Sequence, residues 1–265
     1  MNTVRPRNDT LRYFVIALLA TASVISVMWP VTLHRRPSGS LLDALPPTML
    51  WAWERPEDLR FINPQTTGVA FLSKTILLRD DRAEIRPRRQ PLLVAPGTKL
   101  LAVTRVESAP GAAARTDIAS LQALAREIAA TAAPANVLGV QIDYDARASE
   151  REFYIKLLHA VRRELPPAVP LSITALASWC LGDHWLAGLP VDEAVPMLFQ
   201  MGPDTTAIRL HLKVGGTFPE TLCRSSIGVA LDEPVTRLPE HRRTYWWSSR
   251  PWVDSAGKLM AEAQR

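Results

Sequence analysis

The sequence predicts a (β/α)8 barrel of the TIM type, and two observations carry that expectation. Eight apolar runs bounded by turn residues read as strands, at 48–53, 68–78, 99–106, 137–144, 171–177, 193–199, 226–231 and 244–248. Helical patterns lie between several of them, and strand–helix–strand alternation implies a parallel sheet that eight repeats close most simply into a barrel. Residues 48–265 suffice for one such domain and not for two equal ones. The alternative, an open doubly wound α/β sheet, is disfavoured because no Gly-rich phosphate turn follows any strand.

The elements follow in order. The first strand carries Trp51 and Trp53 and leads into a connection too short for a long helix. After the second, Ile76–Leu78, the charged turn Arg79-Asp80-Asp81-Arg82 and Ala83–Ile85 read as a hairpin in place of a helix. Ile118, Leu121, Leu124, Ala125 and Ile128 fall at helical spacing within 116–132, as do Phe153, Leu157, Leu158 and Val161 within 149–165. The helices after strands one, five and seven must be short, and the last helix, near 255–264, is brief.

Ahead of the barrel, residues 13–33 are almost free of charge and follow a basic flank, 1–12, that contains Arg5, Arg7 and Arg12. The pattern reads as a translocation signal with its positive end in the cytoplasm. Ala20-Thr21-Ala22 offers a small-residue cleavage site, while the apolar run continues to Trp29, long enough for a retained anchor. A polar, proline-containing linker, 34–47, comes next. The expected location is the periplasmic face of a bacterial inner membrane, or the periplasm if the segment is cleaved.

The net charge of +5 comes from scattered arginines, without a lysine-rich stripe or nucleic-acid motif, so no nucleic-acid partner is expected. Asp183-His184 and His211 lack metal-ligand spacing, and Ser178 and Ser248 lack a nucleophile elbow. No metal and no cofactor are expected. An exported domain could oxidise Cys180 and Cys223, but in the barrel Cys180 follows strand five and Cys223 precedes strand seven. Those places, near opposite mouths, put their Cα atoms beyond the roughly 7 Å that a disulfide spans unless a loop folds back.

The most informative stretch is Gly139-Val140-Gln141-Ile142-Asp143-Tyr144-Asp145 on strand four. Strand alternation puts Gln141, Asp143 and Asp145 on one face and Val140, Ile142 and Tyr144 on the other. If the apolar set meets the helices, the acids point into the barrel and Asp145 reaches the C-terminal mouth, where barrel enzymes carry their chemistry. Acids two positions apart stand about 6 to 7 Å apart between Cα atoms, so one charge raises the other's proton affinity. Asp145 is thus the expected general acid and Asp143 its modulator; the bland reading is an ion pair with Arg105 inside the barrel. Glu54, Glu107, Asp232 and Glu233 also fall at strand ends and could supply a second carboxylate. Asp232 or Glu233 is preferred, because Pro234 fixes the turn after strand seven. Trp53, Trp179, Trp246 and Trp247, with Trp51 and Trp185, gather near the same mouth and offer stacking surfaces for sugar rings.

The ladder resembles the strand-four signature of family-18 glycoside hydrolases, the chitinase-like enzymes. On that resemblance Asp145 stands in the place of the catalytic glutamate and Asp143 in that of the assisting acid. Met197-Leu198-Phe199-Gln200 is similar to the family's Met-x-Tyr-Asp, and Trp246 or Trp247 to the tryptophan that floors the sugar site. The departures argue against substrate-assisted chitin cleavage: Asp145 is a methylene shorter than glutamate, Gln141 replaces an acid, and Phe199 and Gln200 lack the hydroxyl and carboxylate that would hold an acetamide. Trp51-Ala52-Trp53-Glu54, the 172–180 segment and Leu231-Asp232-Glu233-Pro234 resemble a bacterial exported family classed as domain of unknown function 3142.

The expected function is that of a glycoside hydrolase-like barrel acting on an envelope or extracellular polysaccharide, with Gln141, Trp53, Glu54, Trp179, Gln200, Trp246 and Trp247 as substrate contacts. Two alternatives remain, a non-catalytic saccharide-binding or polymer-assembly protein and an interaction scaffold.

Overall fold

Runs of period two or of continuous apolar character build eleven strands among the described residues: β1 (Thr48–Ala52), β2 (Glu57–Leu59), β3 (Thr67–Arg79), β4 (Arg82–Pro87), β5 (Leu92–Val94), β6 (Leu100–Ser108), β7 (Val137–Asp143), β8 (Leu171–Leu176), β9 (Glu193–Met197), β10 (Ser226–Ala230) and β11 (Arg243–Trp247). The computed structural model describes residues 41–79, 82–110, 118–233 and 241–263. The chain divides into two units, 1–38 and 39–265. The first, with the basic flank and the expected membrane segment, lies outside the described residues. Among the described residues no helix is long and apolar enough to cross a membrane.

Eight parallel strands close the barrel in the order β1-β3-β6-β7-β8-β9-β10-β11, β1 pairing with both β3 and β11. These are the eight strands read from the sequence, displaced by at most two residues at their ends. The expected hairpin is also present: β4 runs antiparallel along the far half of β3, Leu78 opposite Ala83. Its turn, residues 80–81, lies outside the described set.

Helices α1 (Ile118–Ala129), α2 (Arg151–Glu164), α3 (Thr205–Lys213) and α4 (Trp252–Ala263) cover the outside. Their spacing explains the packing. On α1, Leu121, Leu124, Ala125 and Ile128 are buried; on α2, Phe153, Tyr154, Leu157, Leu158 and Val161 are. They meet the outward face of the strands in one apolar cluster that includes Val140, Ile142 and Tyr144 of β7 and its following residue. The opposite face fills the barrel, with Met49, Trp51, Ala70, Leu101, Val103, Val195 and Tyr245 in a second cluster.

Two expectations need correction here. Residues 41–47, read as linker, belong to the fold: a 3-10 turn, Leu41–Ala44, buries Leu42, and Leu45 joins it against the interior cluster. The guanidinium of Arg243 donates to the Leu42 carbonyl at 2.6 Å and to the Pro46 carbonyl at 3.1 Å, fixing this segment to the start of β11. The cysteines also pair. Cys180 and Cys223 form a disulfide with their Cα atoms 5.9 Å apart. After β8 the chain makes only a five-residue π turn, Trp179–Asp183, in place of a helix, and Cys180 sinks into the outer layer. Cys223 ends a 3-10 turn, Thr221–Cys223, that packs against β9 in the same layer. Without a full helix to separate them, the two loops meet beside the barrel instead of staying at opposite mouths.

Candidate functional site

At the C-terminal mouth a cleft of about 460 Å³ opens, within the range of small-molecule sites. Trp51, Trp53, Met197, Phe199 and Trp247 give it an aromatic wall and floor; Arg105, Glu107, Asp143, Asp145 and Thr174 give it a polar side. The four charged groups also line a recess of about 640 Å³ that runs out past Ser108 towards Arg147. The acids therefore stand at the junction of an aromatic and a polar arm.

The alternation of β7 decides the depth of each polar group. Gln141 lies below the cleft, fully buried. Its Oε1 accepts the Trp51 indole N–H at 2.8 Å and its Nε2 donates to Ser172 Oγ at 2.9 Å. Ser172 passes the chain to Glu193, which also accepts from Tyr245 OH at 2.7 Å and faces Arg243 at 3.4 Å. This network levels the Trp51 ring as the cleft floor. Gly228 permits it, because a Cβ there would lie 2.6 Å from Trp51 Cη2.

Two residues higher, Asp143 is buried and held on both oxygens: Thr174 Oγ1 donates to Oδ1 at 2.7 Å, and Arg105 Nη1 to Oδ2 at 3.1 Å. Burial pushes its carboxyl above the ordinary carboxylate range, against the opposing pull of Arg105 and Thr174. Asp145 stands higher still, open to solvent at the mouth. Its pKa is raised first by desolvation from the surrounding protein and then by the Asp143 charge, with Arg105 opposing. Arg105 also binds Glu107 at 2.6 Å and lies over the Trp53 ring, 5.9 Å from its centroid.

The aromatic wall has fixed geometry. Trp53 meets Trp247 edge-on with centroids 5.4 Å apart, Phe199 stacks at 6° to Trp247, and Trp51 stacks on Tyr245 at 5.2 Å. One broad face remains for a flat or ring-shaped ligand.

Of the residues expected from sequence, Asp143, Asp145, Trp53, Glu54, Gln200 and Trp247 come together in the cleft. Others do not. Trp179 is buried in the outer layer against Trp185, 4.8 Å between centroids. Trp246 faces the helices, because alternation sends it opposite to Trp247. Asp232 accepts a hydrogen bond from Ser249 Oγ at 2.6 Å, and Glu233 accepts the backbone N–H of Gln200 at 3.1 Å. Neither lines the cleft; Pro234 lies outside the described residues. Gln200 itself has φ of 50°, a left-handed conformation uncommon for a side chain of its size, and the Glu233 carboxylate secures it. Thr174 completes the site without a role read from sequence, and Arg105, Glu107, Phe199 and Trp51, read there only as an ion-pair partner, one of four possible second carboxylates, part of the Met197–Gln200 motif and a stacking ring, join it as lining residues. Their signal was available in part, since Arg105 and Glu107 repeat on β6 the polar alternation of β7. Among the described residues no cluster of His, Cys, Asp and Glu could hold a metal ion.

The protein is thus a closed (β/α)8 barrel with acids at the end of its fourth strand and an aromatic cleft above them. Residues 97–199, which span β6 to β9, match the family model described as Domain of unknown function (DUF3142). Among solved structures, a protein from Streptomyces coelicolor assigned as chitinase A aligns with 81% of this chain and 95% of its own, at a TM-score of 0.51 and 11% identity. A family GH18 chitinase from Chromobacterium violaceum aligns over 80% and 82% at a TM-score of 0.44, also at 11% identity. No curated protein matches the chain.

Proposed function

We propose that the cleft binds a saccharide of the cell envelope or its surroundings and cleaves it by carboxylate general acid catalysis. The observation that carries this reading is the placement of Asp145, with its raised proton affinity, beside the aromatic wall of Trp53, Phe199 and Trp247. A proton donor must hold its proton near the working pH, and desolvation together with the Asp143 charge favours that. Asp143 cannot reach the mouth as freely. Clamped by Thr174 and Arg105, it positions and tunes Asp145. The tryptophan faces would receive the apolar C–H faces of sugar rings.

A buried disulfide fits an oxidising compartment, which supports export and a periplasmic site of action at the inner membrane, with the N-terminal segment as signal or anchor. Protection of the domain from protease in intact cells and its digestion in spheroplasts would check this.

The test of function is a titration of the full chain against a panel of envelope glycans, followed by tryptophan fluorescence and then by assay for new reducing ends. Binding with cleavage, abolished in Asp145→Asn without loss of binding, is the expected result. A second reading, saccharide binding without turnover, is favoured by the absence of Asp232 and Glu233 from the cleft. Binding of a glycan that is never cleaved would establish it.

A further inference from the structure

We propose that Glu107 is the second catalytic carboxylate of the cleft, the nucleophile that works with Asp145 on glycosides whose reacting sugar carries no 2-acetamido group. The inference rests on the glycosidase reading above. It begins from register. Arg105 on β6 pairs with Asp143, the last residue of β7; Glu107, two residues further along β6, and Asp145, two residues past the end of β7, both rise from that pair to line the mouth. Neighbouring strands lie about 4.8 Å apart where they pair, so two side chains rising past the last pair can approach to the roughly 5 to 5.5 Å that separates the carboxyl groups of retaining glycosidases. Both residues line the aromatic cleft and the polar recess, so a saccharide crossing from one to the other passes both.

Their surroundings divide the roles. Arg105 Nε grips Glu107 Oε1 at 2.6 Å, which orients this carboxylate and leaves its second oxygen for a reacting atom, whereas no cation binds Asp145 at ion-pair distance among the described residues. The other acids considered for this role are engaged elsewhere, Glu54 with the backbone N–H groups of Arg89 and Gln90, Asp232 with Ser249 and Glu233 with Gln200. The chemistry then needs no acetamide from the substrate. Phe199 presents no hydroxyl to hold one.

In the first step Glu107 Oε2 bonds to the anomeric carbon as the glycosidic C–O bond breaks, and the Asp145 proton goes to the leaving oxygen. In the second, water attacks the anomeric carbon, gives a proton to the Asp145 carboxylate and releases Glu107. Anomeric configuration is retained.

The full chain would be assayed with 2,4-dinitrophenyl glycosides of glucose, galactose, mannose and xylose in both anomeric forms, and with their 2-deoxy-2-fluoro counterparts. Wild type is expected to turn over at least one glycoside and to gain the mass of the fluorosugar on the peptide containing Glu107. Glu107→Gly and Glu107→Gln should each lose roughly 10³-fold or more in turnover. Azide should restore Glu107→Gly, yielding a glycosyl azide of inverted configuration, which loss of a merely structural contact does not permit. Turnover by Glu107→Gln within twofold of wild type, or label on another residue, overturns the proposal while leaving the glycosidase reading standing. Wild type that neither hydrolyses nor is labelled by any member overturns both.

Discussion

Replacing Arg105 with glutamine removes the cation that holds Asp143 while leaving a polar side chain of similar reach. Asp143 is buried, with 7% of its side chain exposed, whereas Arg105 keeps 35% of its surface in water. Breaking a fully buried ion pair costs about 3–5 kcal/mol, and partial exposure screens the pair, so a loss of about 2 kcal/mol at neutral pH is expected. The sign of its pH dependence follows from the charge left behind. Burial already raises the Asp143 pKa above its unfolded value, and without Arg105 it rises further. The variant's deficit relative to wild type is therefore full above the variant's Asp143 pKa and fades as the pH falls from there to the wild type's own raised Asp143 pKa, below which the carboxyl is protonated in both folded proteins. Urea unfolding of both proteins from pH 4.5 to 8 measures it. The companion Arg105→Gln/Asp143→Asn should recover most of the loss at pH 7, because no buried charge remains. A deficit that is independent of pH and unrelieved in the double variant would refute the account of Asp143 as a buried, arginine-held carboxylate.

Three further outcomes are expected. In any glycoside substrate assay, turnover should fall as pH rises through the elevated pKa of Asp145, and Asp143→Asn should move that limb to lower pH, since the Asp143 charge helps to raise it. Gly228→Ala places a methyl 2.6 Å from Trp51 Cη2; about 1–3 kcal/mol of stability should be lost, with weaker ligand binding as the floor ring tilts, measurable by unfolding and fluorescence titration. Cys180 and Cys223 close a loop with a sequence separation of 43, for which chain entropy gives about 4 kcal/mol; unfolding midpoints with and without reductant check this, and native thiols that react in non-reducing buffer would contradict the pairing.

The barrel was legible because its signals are local. Eight runs of period two or continuous apolar character mark the strands, and the ladder 139–145 announces which face of β7 is polar. Depth was not legible. Gln141 and Asp143 share a face, yet one step of the ladder separates a residue sealed beneath Trp51 from one at the cleft wall. Trp246 and Trp247 posed the complementary problem: alternation guarantees that one faces in, and the register of β11 against β1, Leu50 opposite Trp246, decides which. Asp232 and Glu233 lie past a strand end, where backbone direction depends on the turn, and their partners Ser249 and Gln200 are distant in sequence. The cysteines misled for a related reason, because a missing helix brings together loops that a regular barrel keeps apart.

The same irregularity builds the aromatic wall. Past the ends of β1 and β11 the backbone leaves the ladder, and its carbonyls need donors from elsewhere. The hairpin that replaces the helix after β3 supplies one set: Arg88, just beyond β4, donates to the carbonyls of Ala52, Trp53 and Arg55, while the Glu54 carboxylate accepts the backbone N–H groups of Arg89 and Gln90. Arg55 continues the relay, donating to the carbonyls of Ser248, Ser249 and Arg250 directly after Trp247, at 2.9, 3.2 and 2.7 Å. Two guanidinium groups thus fix the exits of the strands that carry Trp53 and Trp247. A planar fork with five donors suits this task in a way an ammonium does not. The hairpin is therefore part of the site: its departure from barrel regularity holds the ring pair at the spacing that leaves a stacking face open above Asp143 and Asp145.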